Sequence, residues 1–350
     1  MAGTNASLVY DLVSWAKTRD PDLKTAMIAE LLNQSNEQVQ DLVWLEGNLP
    51  TGHRITQRTG LPTTYTRQIN APVAVSRGQT AQVDEGAAIF ETWAEYDESL
   101  LKLWADKGNF LYMQSLAFME SITQKFSNSF IYGDPSVDPT QFLGLAPRYS
   151  TVNTSNANNA QNVIDGGGTG GVNTSMYLLT LSPKALYGFF PKGTAAGIIH
   201  FSKDEEVIQG TNGVGGTRLL GHREMWQWNA GIALEDWRWC GRLCNIDTTN
   251  LKNQTGATDL TEGMIDLMYR IPSIATPAST TGNPTSTIAI PGKQIYLCNR
   301  TVRAALHKQM LNKTNNQLTM EDWYGRKVLS FMGIPIRNCD QISNAESQIT

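Results

Sequence analysis

Residues 98–132 read ESLLKLWADKGNFLYMQSLAFMESITQKFSNSFIY, and they carry the longest helical pattern of the chain. Apolar side chains recur there at the i, i+3 and i+4 spacing of one helix face, among them Leu101, Trp104, Leu111, Met119, Ile122, Phe126 and Phe130. Gly108 is the one interior breaker, and Gly133-Asp134-Pro135 ends the pattern. At about 1.5 Å per residue, such a helix would be about 50 Å long. This length exceeds what a small globular core requires and predicts a structural spine.

The segment before this helix, residues 47–97, shows no helical period. It consists of short β-like pieces, ITQRTGLPTTYTRQI and APVAVSRGQTAQV, separated by glycines and prolines. About fifty residues with so little apolar content do not build a core of their own. We therefore expect an extended two-stranded arm that lies on a neighbouring subunit.

The charges of this arm are sorted along the chain. Residues 51–78 contain arginines and no acid, whereas residues 79–98 contain acids and no base. The two legs of a hairpin could attract each other, or the basic leg could dock on an acidic surface of the next subunit, and the two interpretations are compatible. The expected intersubunit contact residues are Arg54, Arg58, Arg67, Arg77, Asp84 and Glu85.

Helices and strands mix in the rest of the chain. Residues 5–45 show a helical pattern in two runs, the second beginning at Pro21. After residue 150 come β-like segments such as MYLLTLS, HREMWQWNAGIAL and DWRWCGRLCNI, then QIYLCN, a helix in RTVRAALHKQMLNK and a final β piece in FMGIPIRNCDQI. This order predicts an α+β fold.

Four tryptophans stand in pairs at Trp226, Trp228, Trp237 and Trp239. We expect them on two adjacent strands, where residues two apart share a face. A stacking platform for single-stranded nucleic acid would add basic residues along a groove, but acids accompany the arginines here. Packing in a core or an interface is therefore the favoured interpretation.

The composition excludes several classes of protein. The chain has 350 residues and a net charge of −4, without the basic patch of a specific nucleic-acid binder. A mildly acidic protein surface can still enclose DNA without binding it tightly. The chain shows neither a signal peptide nor an apolar run long enough to span a membrane. Its four cysteines and four histidines lack metal-ligand spacing, so buried reduced thiols, no metal and no cofactor are expected.

Catalytic motifs are equally absent. Gly166, Gly168 and Gly171 match G-x-G-x-x-G, but an Asn-rich loop precedes them and a strand pattern follows, which does not suit a dinucleotide. Prolines beside Asp134 and Asp138 indicate turns. His222 and Glu224 are interpreted as ordinary polar residues of a strand edge. The sequence therefore predicts a protein that is not an enzyme.

The order of these parts resembles the capsid subunits of tailed, double-stranded-DNA bacteriophages with the HK97-type fold. FLGLAP (142–147) resembles the turn after that family's spine helix, and WQWNAGIALEDWRWCGRLCNID resembles its long strands. The resemblance divides the chain into a helical N-arm (1–46), an E-loop (47–97), the spine helix with part of the P-domain (98–150), part of the A-domain (151–215), the long P-domain strands (216–250), and a further A-domain part with the C-terminus (251–350). In the commonest family pattern the segment resembling 293–342 precedes the long strands, so a rearranged strand order is expected.

The resemblance implies a structural subunit that self-assembles, as hexamers and pentamers, into an icosahedral head shell around packaged DNA. It implies a virion component, assembled in the bacterial cytoplasm with a separate scaffolding protein, a portal protein and a cement or decoration protein. Some members cross-link through a Lys of the E-loop, but residues 25–101 contain no Lys, so no such mesh is expected.

Two other functions stay open at this stage. One is an encapsulin-like nanocompartment shell that holds an enzyme cargo. The other is a soluble enzyme with an unrecognised site, which the missing motifs and the long unsupported arm disfavour.

Overall fold

The computed structural model of the chain describes residues 36–103, 107–209, 218–253, 260–272, 292–312, 318–323 and 326–350. They form two compact units. Unit 1 contains the described parts of 89–126 and 195–229, and unit 2 those of 35–88, 127–194 and 230–350. The six-segment division expected from the sequence stays a prediction.

The elements follow one another in the order α1 (Gln38–Asp41), β1 (Trp44–Glu46), β2 (Gly52–Gly60), β3 (Gln79–Gly86), β4 (Ala88–Asp97), α2 (Glu98–Leu101), α3 (Lys107–Tyr132), α4 (Leu145–Arg148), β5 (Val163–Asp165), β6 (Asn173–Leu181), β7 (Leu186–Phe190), β8 (Ile198–Gln209), β9 (Arg218–Leu234), β10 (Cys240–Asp247), α5 (Thr248–Asn253), α6 (Leu260–Arg270), β11 (Lys293–Cys298), α7 (Arg300–Asn312), β12 (Leu318–Trp323), β13 (Arg326–Phe331) and β14 (Ile334–Asn338). This mixture confirms the α+β class.

Unit 1 is a sheet covered on one face by helix α3. Strand β9 lies between β8 and β4, and its residues alternate between buried and half-buried from His222 to Ala230. The ring of Trp226 stacks on Phe118 of α3 with centroids 4.7 Å apart, and Trp228 lies 4.6 Å from Phe126. The aromatic face of β9 therefore forms the core of this unit.

Unit 2 is built around strand β6, whose nine residues are all buried. β6 pairs antiparallel with β10 on one side and with β11 on the other, and β14 lies parallel to β11. Met264 of α6 and Val302 and Leu306 of α7 are fully buried in the same cluster as Tyr296 of β11. The final β piece expected in FMGIPIRNCDQI is present as β14, which lies beside β11. A strand buried on both faces reads as a continuous apolar run, as in MYLLTL.

The predicted spine helix is interrupted. α2 ends at Leu101, residues 102–103 form a turn, and α3 begins at Lys107, while residues 104–106 lie outside the described part. The Asp97 side chain accepts a hydrogen bond from Ser99 N and so caps a separate short helix. The prediction of one continuous helix over 98–132 was wrong at this point, and α3 has 26 residues.

Three further expectations need correction. The second helical run was expected to reach Leu45, but α1 ends at Asp41 and Trp44–Glu46 pairs as a strand with β7; the expected helices within residues 1–35 lie outside the described residues. Trp237–Trp239 forms a 3-10 turn capped by Asp236, and β9 and β10 are not neighbours in the pairing described. His222 is buried on the middle strand of its sheet, not on an edge.

Candidate intersubunit surface

Of the two-stranded arm predicted between residues 47 and 97, the part from Gly52 to Gly86 is a hairpin of β2 and β3. The prediction was wrong for Ala88–Asp97, which is strand β4 beside β9, with Phe90 and Tyr96 buried in the core. The hairpin strands pair antiparallel from Gly52↔Gly86 to Gly60↔Gln79, with an irregularity between Arg58 and Gly60. We call residues 52–53 and 85–86 the arm base and residues 61–78 the arm tip. The hairpin belongs to unit 2 up to residue 88.

The arm base is fixed by polar contacts within unit 2. Glu85, only 4% exposed, accepts two hydrogen bonds from the Arg148 guanidinium at 2.7 and 2.6 Å. The His53 ring lies 2.9 Å from the Tyr187 hydroxyl through Nε2. A bidentate Arg–carboxylate pair in a buried position defines both distance and direction. The arm base is therefore held firmly against the rest of unit 2.

Arg148 is itself positioned by a buried network. Arg242 donates from Nη1 to the carbonyl of Tyr149 at 3.0 Å and from Nη2 to Glu346 at 2.9 Å. Glu346 also accepts hydrogen bonds from Tyr132 and Ser175. Burial lowers the pKa of Arg242, but the nearby Tyr177 and Glu346 outweigh it and raise the pKa above its usual value. A charged Arg242 thus holds the turn that presents Arg148 to the arm.

Farther along the arm, the two legs attract each other as expected. Arg54 Nε and Nη2 donate to Asp84 at 2.6 and 2.7 Å, and the two residues face each other in the register. The hydrogen bond from Arg54 lowers the pKa of Asp84. The backbone of Arg58 pairs with Thr80.

The arm tip is exposed throughout, apart from half-buried Ala71. Leu61, Ile69 and Val75 are 79%, 93% and 100% exposed. Arg67 and Arg77 lie in this segment, and within the described part of the chain neither forms an ion pair. These three apolar side chains are therefore accessible for contact with another surface.

The six expected contact residues therefore separate into groups. Arg67 and Arg77 lie at the tip, Arg58 lies on the first leg, and Arg54 and Asp84 pair with each other on the legs. Glu85 was expected on the contact surface, but its side chain is buried against Arg148, which makes it an anchor of the arm. The partners Arg148 and His53 were missed, because nothing in the local sequence pattern links them to the arm.

Other motifs are structural where they are described. Asp134 and Asp138 accept hydrogen bonds from the backbone N–H of Ser136 and Thr140, as turn residues do. All four cysteines are free and buried, and burial raises the pKa of each thiol to about 12, which disfavours the reactive thiolate. None of the described helices is long and apolar enough to cross a membrane.

Comparison with solved structures identifies the class. A chain of bacteriophage Epsilon15, solved by cryo-EM, is 26% identical and aligns over 100% of this chain and 99% of its own length, with a TM-score of 0.74. A chain of Mycobacterium phage Bobi (9% identity, 60% and 90% coverage, TM-score 0.41) and the holo-SrpI encapsulin of Synechococcus elongatus PCC 7942 (10%, 68% and 96%, 0.39) are too distant to carry an argument. No curated protein matches the sequence.

An α+β subunit with a long helix, a projecting arm and this full-length likeness to a phage protein is a shell-forming structural subunit with the HK97-like capsid fold. The model of one family, "Major capsid protein GP7", matches residues 20–350. The chain belongs to that family of major capsid proteins, and it is a component of a bacteriophage virion.

Proposed function

We propose that the arm is the main contact by which this capsid subunit joins its neighbours. In this proposal the tip of one subunit lies on the next, and the subunits form hexamers and pentamers that close an icosahedral shell. Each arm is small, but repeated contacts between unlike surfaces close a ring or shell when the geometry allows it. Packaged double-stranded DNA is enclosed without sequence-specific binding.

The exposed apolar side chains of the tip carry this proposal. Leu61, Ile69 and Val75 are held in water by a hairpin whose base is rigidly fixed through Glu85 and Arg148. A fixed base with an exposed apolar end is the arrangement of a docking element. Arg67 and Arg77 add a positive charge that favours an acidic partner surface.

Several partners follow from this reading. We expect a separate scaffolding protein, a portal protein and a cement or decoration protein, with assembly in the host bacterial cytoplasm. We also expect neither catalysis nor a cofactor. The arm has no Lys between residues 25 and 101, so the shell should be held without Lys–Asn isopeptide bonds. Boiled shells in SDS should therefore release monomers.

A pair of substitutions at the tip tests the proposal. Ile69→Ser with Val75→Ser removes two apolar contacts without touching the arm base. The variant should remain as small oligomers where the wild type forms particles, as judged by sedimentation and electron microscopy. Its thermal unfolding should equal that of the wild type, because both side chains are already exposed.

Val137→Ser is the matched control. Val137 is 83% exposed but lies outside the arm, so this variant should assemble normally. Normal particles from the Ile69/Val75 variant would refute the assignment of the tip as the main contact. An encapsulin-like compartment is not favoured, since the major capsid protein family covers residues 20–350 and the full-length likeness is to a phage protein.

A further inference from the structure

Strand β8 departs from regular pairing with β9 at one place in unit 1. The register shifts between Lys203 and Glu206, so two residues, Asp204 and Glu205, lie opposite His222. Glu205 has a φ of 51°, in the left-handed region that side chains with a Cβ rarely adopt. Bulges of this kind redirect a side chain. Here the redirected group is the carboxylate of Asp204, which turns toward His222.

His222 bridges two carboxylates. Its ring is 2% exposed, with Nδ1 2.6 Å from Asp204 Oδ1 and Nε2 3.1 Å from Glu224 Oε1. An ionised carboxylate can only accept a hydrogen bond, and a neutral imidazole has a single N–H to donate. Both hydrogen bonds can therefore exist together only if the cluster carries one extra proton, in addition to those of a neutral imidazole ring and two ionised carboxylates.

Glu224 adds a second acceptor site for a proton. Its side chain is 5% exposed, and among the described residues Oε2 has no hydrogen-bond partner. The Nε2 of His200 lies 3.6 Å from Glu224 Oε1, and the His200 ring stacks on Trp226 at 5.1 Å. A buried carboxylate with an open oxygen is costly unless positive charge or a proton lies beside it.

The neighbouring elements supply few further charges to this cluster. From α3, the Lys107 ammonium donates to Asp204 at 3.0 Å and lies 3.4 Å from Glu98 of α2. From β4, the Tyr96 ring stacks on His222 at 6.3 Å. The hydrogen bond from Lys107 lowers the pKa of Asp204, which keeps that carboxylate ionised in mild acid.

The remaining charges of the sheet lie elsewhere. Arg223 pairs with Glu95 and Glu206, and it follows His222 in β9 on the opposite face. In the described part of the chain, no group of three His, Cys, Asp or Glu side chains is arranged to hold a metal ion. The contacts of His222 with two carboxylates suit a shared proton.

We propose that the His200–Glu224–His222–Asp204 cluster is a proton-dependent link between β8 and β9, complete while the cluster holds the extra proton and weaker once that proton is lost. Loss of the proton leaves the ring one N–H for two carboxylates, so one of them then faces a ring lone pair. In stronger acid the carboxylates are protonated and the link also weakens. The inference concerns a strand within one subunit, so it does not depend on how the arm contacts neighbours.

Hydrogen–deuterium exchange of the full-length subunit tests the link. After correction for intrinsic exchange, protection of residues 198–209 should fall about tenfold between about pH 5.5 and about pH 8.5, the factor expected for one charge-assisted hydrogen bond. In His222→Gln, whose amide does not titrate, protection should be the same at both pH values. His307→Gln replaces an exposed histidine of unit 2 and should keep the wild-type response.

The variant Asp204→Asn tests the same link in case His222→Gln does not fold. The Asp204 side chain is 65% exposed, so its replacement should leave the fold intact. A single N–H of His222 then satisfies Glu224, and the response to pH should shrink to less than about threefold. A wild-type response that persists in Asp204→Asn or His222→Gln, or a wild type with no response, would overturn the proposal.

Discussion

The base and the tip of the arm are parts of one hairpin, yet they differ in nearly every physical respect. At the base, Glu85 is buried and bonded twice to Arg148, whereas at the tip Ile69 and Val75 are almost fully exposed. Base residues find their partners within their own subunit. Tip residues present apolar and basic side chains to water, and we propose that a neighbour covers them. The comparison separates residues that set the direction of the arm from residues that bind.

The most severe test of this comparison is Arg148→Met. It leaves Glu85 buried without a counter-charge, which typically costs about 3–5 kcal/mol. Urea unfolding of the unassembled subunit measures the loss. In the double variant Glu85→Gln with Arg148→Met, neither charge remains, so much of the stability should return. A single variant as stable as the wild type would show that the base is not held by this pair.

A smaller effect is expected from the glycines that face each other at the base. A Cβ on Gly52 would lie 2.2 Å from the backbone oxygen of Glu85, whereas a Cβ on Gly86 would meet nothing within 4 Å. Gly52→Ala should therefore destabilise the subunit by about 1–3 kcal/mol, the usual cost of forcing atoms into filled space. Gly86→Ala is its matched control and should unfold at nearly the wild-type urea concentration. Equal loss in the two variants would contradict this account.

The smallest effect should come from the exposed pair on the legs. Arg54 holds the pKa of Asp84 below its usual range, so the pair contributes above the pKa of an unfolded Asp and is lost as the pH falls through the folded pKa. Both groups face solvent, so Asp84→Asn should change the melting temperature little at neutral pH. The difference between wild type and variant should shrink as the pH falls below the ordinary Asp pKa of about 3.9. A large change in melting temperature at neutral pH would show that the rigid part of the arm extends from the base into the legs.

Local pattern was sufficient for the tip but not for the base. The absence of helical period and the sorted charges in residues 51–98 are local properties, and they predicted the hairpin at 52–86. They did not distinguish it from strand β4, which lies beside β9. The partner of Glu85 lies 63 residues away at Arg148, and only the folded chain brings the two together. The apolar period from Leu101 to Phe130 likewise predicted a helix but not its interruption. The contact of Lys107 with Asp204, 97 residues away, accompanies that interruption and cannot be seen in a local pattern.

The tryptophans and His222 also show that a local sequence pattern does not predict the neighbours of a strand in the fold. Trp226 and Trp228 were expected to share a face and do so, because alternation along a strand follows from its geometry. That alternation does not show which strands lie beside the strand that carries the two tryptophans. His222 was therefore assigned to an edge, although β8 and β4 flank its strand on both sides.

The buried strand β6 also has a consequence for how the subunit is made. Its two antiparallel partners, β10 and β11, begin 67 and 120 positions after Asn173, and β14 joins β11 later still. Domains emerge from the ribosome at about 5–20 residues per second, so β6 waits several seconds before its second edge can be paired. During that time an apolar strand edge is open to other chains. When one cell synthesises many copies at once, aggregation through an unpaired β6 edge is therefore a hazard during synthesis, before finished subunits contact one another.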